Sequence, residues 1–148
     1  MLRRREPVVV RISKATVSKM HAAAEQATPK ETGGLLLGWW EDGSIVIDEM
    51  IEVVDMSATG RNWTRREMEA QHALDTLLGS DVGSRLGYVG DWHSHPAPVG
   101  ASRTDLRSLT RSSLQYKEPL ALAIRLADNT VRVYVAKQGK LVTTSLQT

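Results

Sequence analysis

Short apolar runs and one-sided helical patterns alternate along this chain, with turn residues between them. Val8 to Ile12 reads as a strand, and Ser13 is placed to cap a helix from Lys14 to about Gln26 that must stop before Pro29. A second apolar run starts near Thr32 and continues to Trp40. It turns through Glu41-Asp42-Gly43-Ser44 and returns as Ile45 to Val54, the pattern of a hairpin. The chain is polar from Ser57 to Thr64. Arg65 to Leu78 then has helical spacing, with Met68, Ala73, Leu74, Leu77 and Leu78 on one side. Leu86 to His95 predicts a strand and Ser102 to Leu114 a helix. Leu120 to Leu126 and Val131 to Ala136 predict a hairpin around Ala127-Asp128-Asn129-Thr130, and Lys140 to Leu146 adds a last strand. No internal repeat interrupts this order. Its fold class is α/β, a mixed central β-sheet flanked by helices.

One strand of this plan carries chemistry. His93-Ser94-His95-Pro96 puts two imidazoles at i and i+2, which leave the same face of a strand while Ser94 faces away. Pro96 ends the strand, Pro98 and Gly100 turn the chain, and a helix opening near Ser102 swings Asp105 back as a third ligand. Two nitrogens and a carboxylate oxygen suit zinc. Three protein ligands leave the fourth tetrahedral position open, as in a catalytic site. Hydrolysis at such a site also needs a carboxylate base. The candidate is Glu31, which opens Glu31-Thr32-Gly33-Gly34-Leu35-Leu36-Leu37-Gly38 at the mouth of a buried strand. Each assignment has a plainer rival. A glutamate between a proline and paired glycines is commonly an exposed turn residue. Ser102 and Asp105 also read as an N-cap and an acidic first turn, a reading compatible with metal ligation. His21 and His72 lie in helical patterns without a partner at ligand spacing, so they read as ordinary hydrogen-bonded histidines.

These residues resemble the JAMM/MPN metalloproteases, in particular the compact prokaryotic JAB-type branch. The pattern is an early glutamate, then His-Ser/Thr-His-Pro, then a serine with an aspartate three positions on. Here it falls on Glu31, His93, Ser94, His95, Pro96, Ser102 and Asp105, and the likeness extends from Val8 to about Val135. The stretch between His95 and Ser102 is one residue shorter than the commonest form. The resemblance implies that His93, His95 and Asp105 bind one zinc ion per chain, that Glu31 is the general acid/base, and that Ser102 stabilises the oxyanion. It implies the same α/β fold, related in layout to the zinc deaminases, and the reaction is hydrolysis of an amide. Family members commonly cleave after the C-terminal tail of ubiquitin-like proteins. Small prokaryotic ones act on ubiquitin-like modifiers or sulfur-carrier proteins, some in antiphage conjugation operons. A deubiquitinase-like isopeptidase is thus the leading expectation. A zinc peptidase of an unrelated substrate and a non-catalytic MPN scaffold are the alternatives. An extended tail is expected along an exposed strand edge near the metal, with the segment from Met56 to Trp63 as a candidate wall, though Trp63 reads more readily as a tryptophan folded into the core. Trp92 is expected to pack on the face opposite the histidines.

Composition narrows the rest. The 148 residues, 41% of them hydrophobic, fit a single domain over 1–148. Phenylalanine is absent, so aliphatic residues, methionines and four tryptophans must fill the core. The absence of cysteine removes thiol nucleophiles and the Pro-Cys-x-x-Cys of nucleobase deaminases. No His-Glu-x-x-His or Walker pattern occurs. A net charge of +2, with basic residues scattered apart from Arg3-Arg4-Arg5, argues against nucleic acid as a partner. The lack of a long apolar segment argues against a membrane, and a cytoplasmic protein is expected.

Overall fold

The computed structural model describes residues 6–53 and 86–148. Their elements run β1 (Val8–Ile12), α1 (Lys14–Ala27), β2 (Gly33–Glu41), β3 (Ser44–Glu52), β4 (Gly87–Ser94), α2 (Arg103–Ser113), β5 (Leu120–Arg125), β6 (Val131–Lys137), β7 (Lys140–Val142) and β8 (Thr144–Gln147). The expected helix over Arg65–Leu78, the wall at Met56–Trp63, and His72 lie outside the described residues.

Local chemistry accounts for the boundaries. Ser13 caps α1 by accepting the Thr16 N–H at 3.1 Å, which satisfies one of the free donors of the first turn. Asp42 and Gly43 join β2 to β3 with φ of 51° and 79°, the paired positive angles of a two-residue hairpin turn. The hairpin was legible in the sequence for that reason.

All the strands form one mixed sheet in the order β7-β6-β5-β4-β2-β3-β1-β8. The strand of the histidines is interior. It pairs antiparallel with β2 and parallel with β5, so β4 itself offers no free edge on which an extended tail could add. The single final strand expected from Lys140 to Leu146 is instead two, β7 and β8, at opposite edges of the sheet with only Thr143 between them. A flat sheet of this size would hold its edges about 34 Å apart at the usual spacing of about 4.8 Å. One residue spans at most about 3.6 Å, so the sheet curls until its edges meet. The Val8 N–H donates to the Thr143 carbonyl at 2.8 Å, so the β1–β8 ladder runs up to that junction.

The two faces carry different helices. On one, Met20 and Ala23 of α1 pack with Val10, Leu36, Ile47, Ala123 and Trp92, which is fully buried as expected. On the other, Leu109 of α2 packs against Leu120, Leu122, Ile124 and Ala136. Alternation along β4 therefore sends His93 to the face opposite Trp92, where α2 begins.

Candidate active site

Three elements converge at the end of β4. His93 is a strand residue, and the ladder extends one step beyond it because the His95 N–H donates to the Arg125 carbonyl at 2.8 Å. Both residues are only 9% exposed. Asp105 comes from the first turn of α2. That turn is fixed by a reciprocal box: Ser102 Oγ accepts the Asp105 N–H at 3.1 Å, and Asp105 Oδ2 accepts the Ser102 N–H at 2.8 Å. The capping reading and the ligand reading of these two residues thus coexist. One carboxylate closes the helix end and faces the histidines.

The distances are those of a ligand set. His93 Nε2 and His95 Nε2 are 3.1 Å apart, and Asp105 approaches each at 3.5 Å through a different oxygen. Donors about 2.0–2.1 Å from a tetrahedral zinc stand about 3.3 Å from one another, so the triad matches the edges of such a site. The proton positions agree. His95 Nδ1 lies 2.8 Å from the Val99 carbonyl, which can only accept. In the neutral ring the proton therefore sits on Nδ1, and the Nε2 lone pair faces His93 and Asp105. Electron-rich atoms brought this close call for a cation among them. Among the described residues, His93, His95 and Asp105 form the only group of three or more such side chains with ligand atoms within 4.8 Å of one another.

Glu31 is present too. Its Oε1 is 3.8 Å from His95 Nε2, and the residue is 9% exposed, which overturns the exposed-turn alternative. The reason lies in β2: Gly33 pairs with His93, and a Cβ on Gly33 would lie 2.4 Å from the Trp92 carbonyl oxygen. Only glycine permits β2 to approach the histidine strand so closely. The ionisations are matched to the arrangement. Burial pushes the Glu31 carboxyl up, an effect that His93 and His95 partly oppose. Burial also works to raise Asp105, but hydrogen bonds with His93, His95 and the Ser102 N–H win and hold it far below the usual carboxylate range. The hydrogen bond to Asp105 raises His95 against its own burial.

Sequence reasoning missed the supports around these groups. Val99 O orients His95, the Tyr134 hydroxyl accepts the Ala101 N–H at 3.1 Å, and Ser94 Oγ accepts the Thr32 N–H at 3.0 Å. Alternation shows that Ser94 faces away from the metal ligands, but no sequence signal names Thr32 as its partner. Tyr134 and the Val99 carbonyl leave no signal at all. His21 has the plain role expected of it, since its Nδ1 accepts from Arg125 Nε at 3.1 Å.

The model of a family described as prokaryotic homologs of the JAB domain matches residues 13–137. The chain belongs to that family. A protein named "Probable metalloprotease y4qB" from Sinorhizobium fredii is 25% identical over 119 residues, 72% of this chain and 68% of the relative. A CD-NTase/cGAS isopeptidase from Enterobacter hormaechei is 31% identical over 121 residues. That match covers 76% of this chain but only 65% of the Enterobacter protein, so the chain spans less than two thirds of that relative's length. Among solved structures, a Desulfitobacterium hafniense protein aligns with a TM-score of 0.63 at 19% identity, covering 93% of this chain and 92% of its own. A JAB1/MPN domain protein from Archaeoglobus fulgidus aligns with a TM-score of 0.54 at 21% identity, covering 93% and 99%. These two likenesses bear on the α/β fold. This JAB-family chain is a hydrolytic metallopeptidase of the peptidase/isopeptidase kind. No helix among the described residues is long and apolar enough to cross a membrane.

Proposed function

We propose that the chain is a zinc-dependent isopeptidase that hydrolyses the amide bond after the C-terminal tail of a ubiquitin-like or sulfur-carrier-like protein. The observation that carries this reading is the convergence of His93, His95 and Asp105 with the Glu31 carboxylate 3.8 Å from His95 Nε2. The relative named as an isopeptidase supports the choice of bond.

His93, His95 and Asp105 hold the zinc ion in this reading. When bound, zinc supplies Lewis acidity, which makes water more acidic and a carbonyl more electrophilic. The remaining work belongs to the chain. Glu31, whose burial gives its carboxylate a stronger hold on a proton, takes one from the attacking water and delivers it to the departing amine nitrogen. Ser102 Oγ already accepts from the Asp105 N–H, which leaves its own O–H to donate to the oxyanion. Val99 keeps His95 in the tautomer that ligates.

The test is metal content followed by cleavage. Elemental analysis of purified protein is expected to find about one zinc per chain, and His93→Ala and Asp105→Ala are expected to lose it. The loaded protein is then offered fusions of ubiquitin-like and sulfur-carrier proteins whose tails end in Gly-Gly, with products read by intact mass. Zinc-free protein after reconstitution, or loaded protein that leaves every fusion intact, would overturn the proposal.

A further inference from the structure

Ser94 stands between the two histidines, yet its side chain faces away from them and holds a residue on the neighbouring strand. Its hydroxyl accepts the Thr32 N–H at 3.0 Å and donates to the Thr32 carbonyl at 3.4 Å, while its own N–H donates to that carbonyl at 2.8 Å. Both residues are 4% exposed, so water offers these groups little replacement. The third polar atom of Thr32 is taken as well, since its hydroxyl donates to Glu52 Oε2 at 2.5 Å. Thr32 therefore has its N–H, its carbonyl and its hydroxyl all fixed. It is the residue next to Glu31, at the point where β2 begins and the regular ladder stops.

We infer that Ser94 is a positioning residue, which sets the Glu31 carboxylate relative to His95 by clamping both backbone polar groups of Thr32. This rests on the reading of Glu31 as the acid/base. Without the hydroxyl, the Thr32 N–H is buried without its acceptor, and the Glu31–Thr32 peptide can turn and carry Glu31 with it, while the Ser94 N–H still holds the Thr32 carbonyl and Glu52 still holds the Thr32 hydroxyl. The ligands are untouched because His93 and His95 are held by their own ladder bonds and by Val99. Displacement of a catalytic group by about 1 Å lowers a rate on the order of a hundredfold.

The experiment compares wild type, Ser94→Ala and Ser94→Thr in the zinc-loaded full chain. Zinc stoichiometry, amide exchange of Thr32, crystal structures, and hydrolysis of a Gly-Gly peptide coupled to aminomethylcoumarin are measured on each. Ser94→Ala is expected to keep its zinc and to exchange the Thr32 N–H faster while Leu35 to Leu37 stay protected. Its Glu31 carboxylate should leave the place seen in wild type, and kcat should fall on the order of ten- to a hundredfold with KM within about twofold. Ser94→Thr is expected to restore the slow exchange, the place of the carboxylate and kcat. Wild-type exchange at Thr32, an unmoved Glu31 carboxylate, or loss of zinc would overturn the inference, the last because the hydroxyl would then serve the ligands. If wild type loads zinc but leaves the peptide intact, the proposed specificity for a Gly-Gly tail fails by itself, and exchange and crystal position still decide whether Ser94 holds the carboxylate. Should Ser94→Ala fail to fold, Ser94→Cys, close in shape and weak as an acceptor, takes its place with the same expectations.

Discussion

The Glu31 carboxylate lies 3.8 Å from Nε2 of His95, although the two residues are 64 positions apart and flank strands brought together by the pairing of β2 with β4. Glu31 thus stands beside the group formed by His93, His95 and Asp105, where the proposed reaction needs its base.

Glu31→Gln keeps the shape and removes the ionisable group. It is expected to retain zinc and to lose turnover by about 10²–10⁴-fold, the usual contribution of general acid/base catalysis. Metal content and kcat on the same preparation check this. An unaffected rate would place the base elsewhere.

Ser102 caps α2 and, in the proposed reaction, donates to the oxyanion, and one substitution separates the two by size. Ser102→Ala removes the acceptor for the Asp105 N–H, a capping loss of about 1 kcal/mol, which urea denaturation measures. It also removes the donor to the oxyanion, where a loss of about 10²-fold in kcat is expected. A stability loss of this size with kcat unchanged would leave Ser102 as a cap alone.

Gly33→Ala tests why β2 can stand beside the ligands. The added Cβ would lie 2.4 Å from the Trp92 carbonyl oxygen and 2.8 Å from the His93 Cβ, and neither is the free end of a flexible side chain. The strands must part. A stability loss of about 1–3 kcal/mol, the usual range for overpacking, is expected together with weaker zinc binding as His93 shifts, read by thermal melting and zinc titration. A variant matching wild type in both would show that β2 yields without disturbing the site.

What was legible in the sequence followed from local periodicity. The i, i+2 spacing placed His93 and His95 on one face and Trp92 on the other, and the serine three residues before Asp105 marked the turn that brings this carboxylate to the histidines. Asp42-Gly43 likewise fixed a hairpin through the φ values it permits. The nearness of Glu31 to the triad was legible only through the family pattern, because the β2–β4 pairing that creates it joins distant segments. The interior position of β4 and the curl that brings β7 and β8 together were hidden for the same reason. Strand order depends on which apolar faces bury best together, and no window of sequence records it. The carbonyl of Val99 was beyond reach for another reason, since a backbone oxygen has no residue identity to read.

A final prediction concerns pH and the residue that α1 contributes near β5. Burial, with help from the adjacent Arg125, holds the His21 pKa below its ordinary value, against the pull of Glu25, and the ring stays neutral to accept from Arg125 Nε. Arg125 is itself 6% exposed, and its carbonyl receives the His95 N–H. The unfolded chain takes up a proton at His21 near the ordinary value of about 6.5, whereas the folded chain does so only at lower pH. Below that value the unfolded state binds more protons, so stability falls as pH falls. The contribution is whole above about 6.5 and is lost as pH drops through the lower folded value. His21→Gln supplies an acceptor that does not titrate. Urea denaturation of both proteins between neutral pH and the mid-fives is expected to show the wild type losing stability relative to the variant as acid is added. Parallel curves over that window would mean that His21 titrates alike in the folded and unfolded chains.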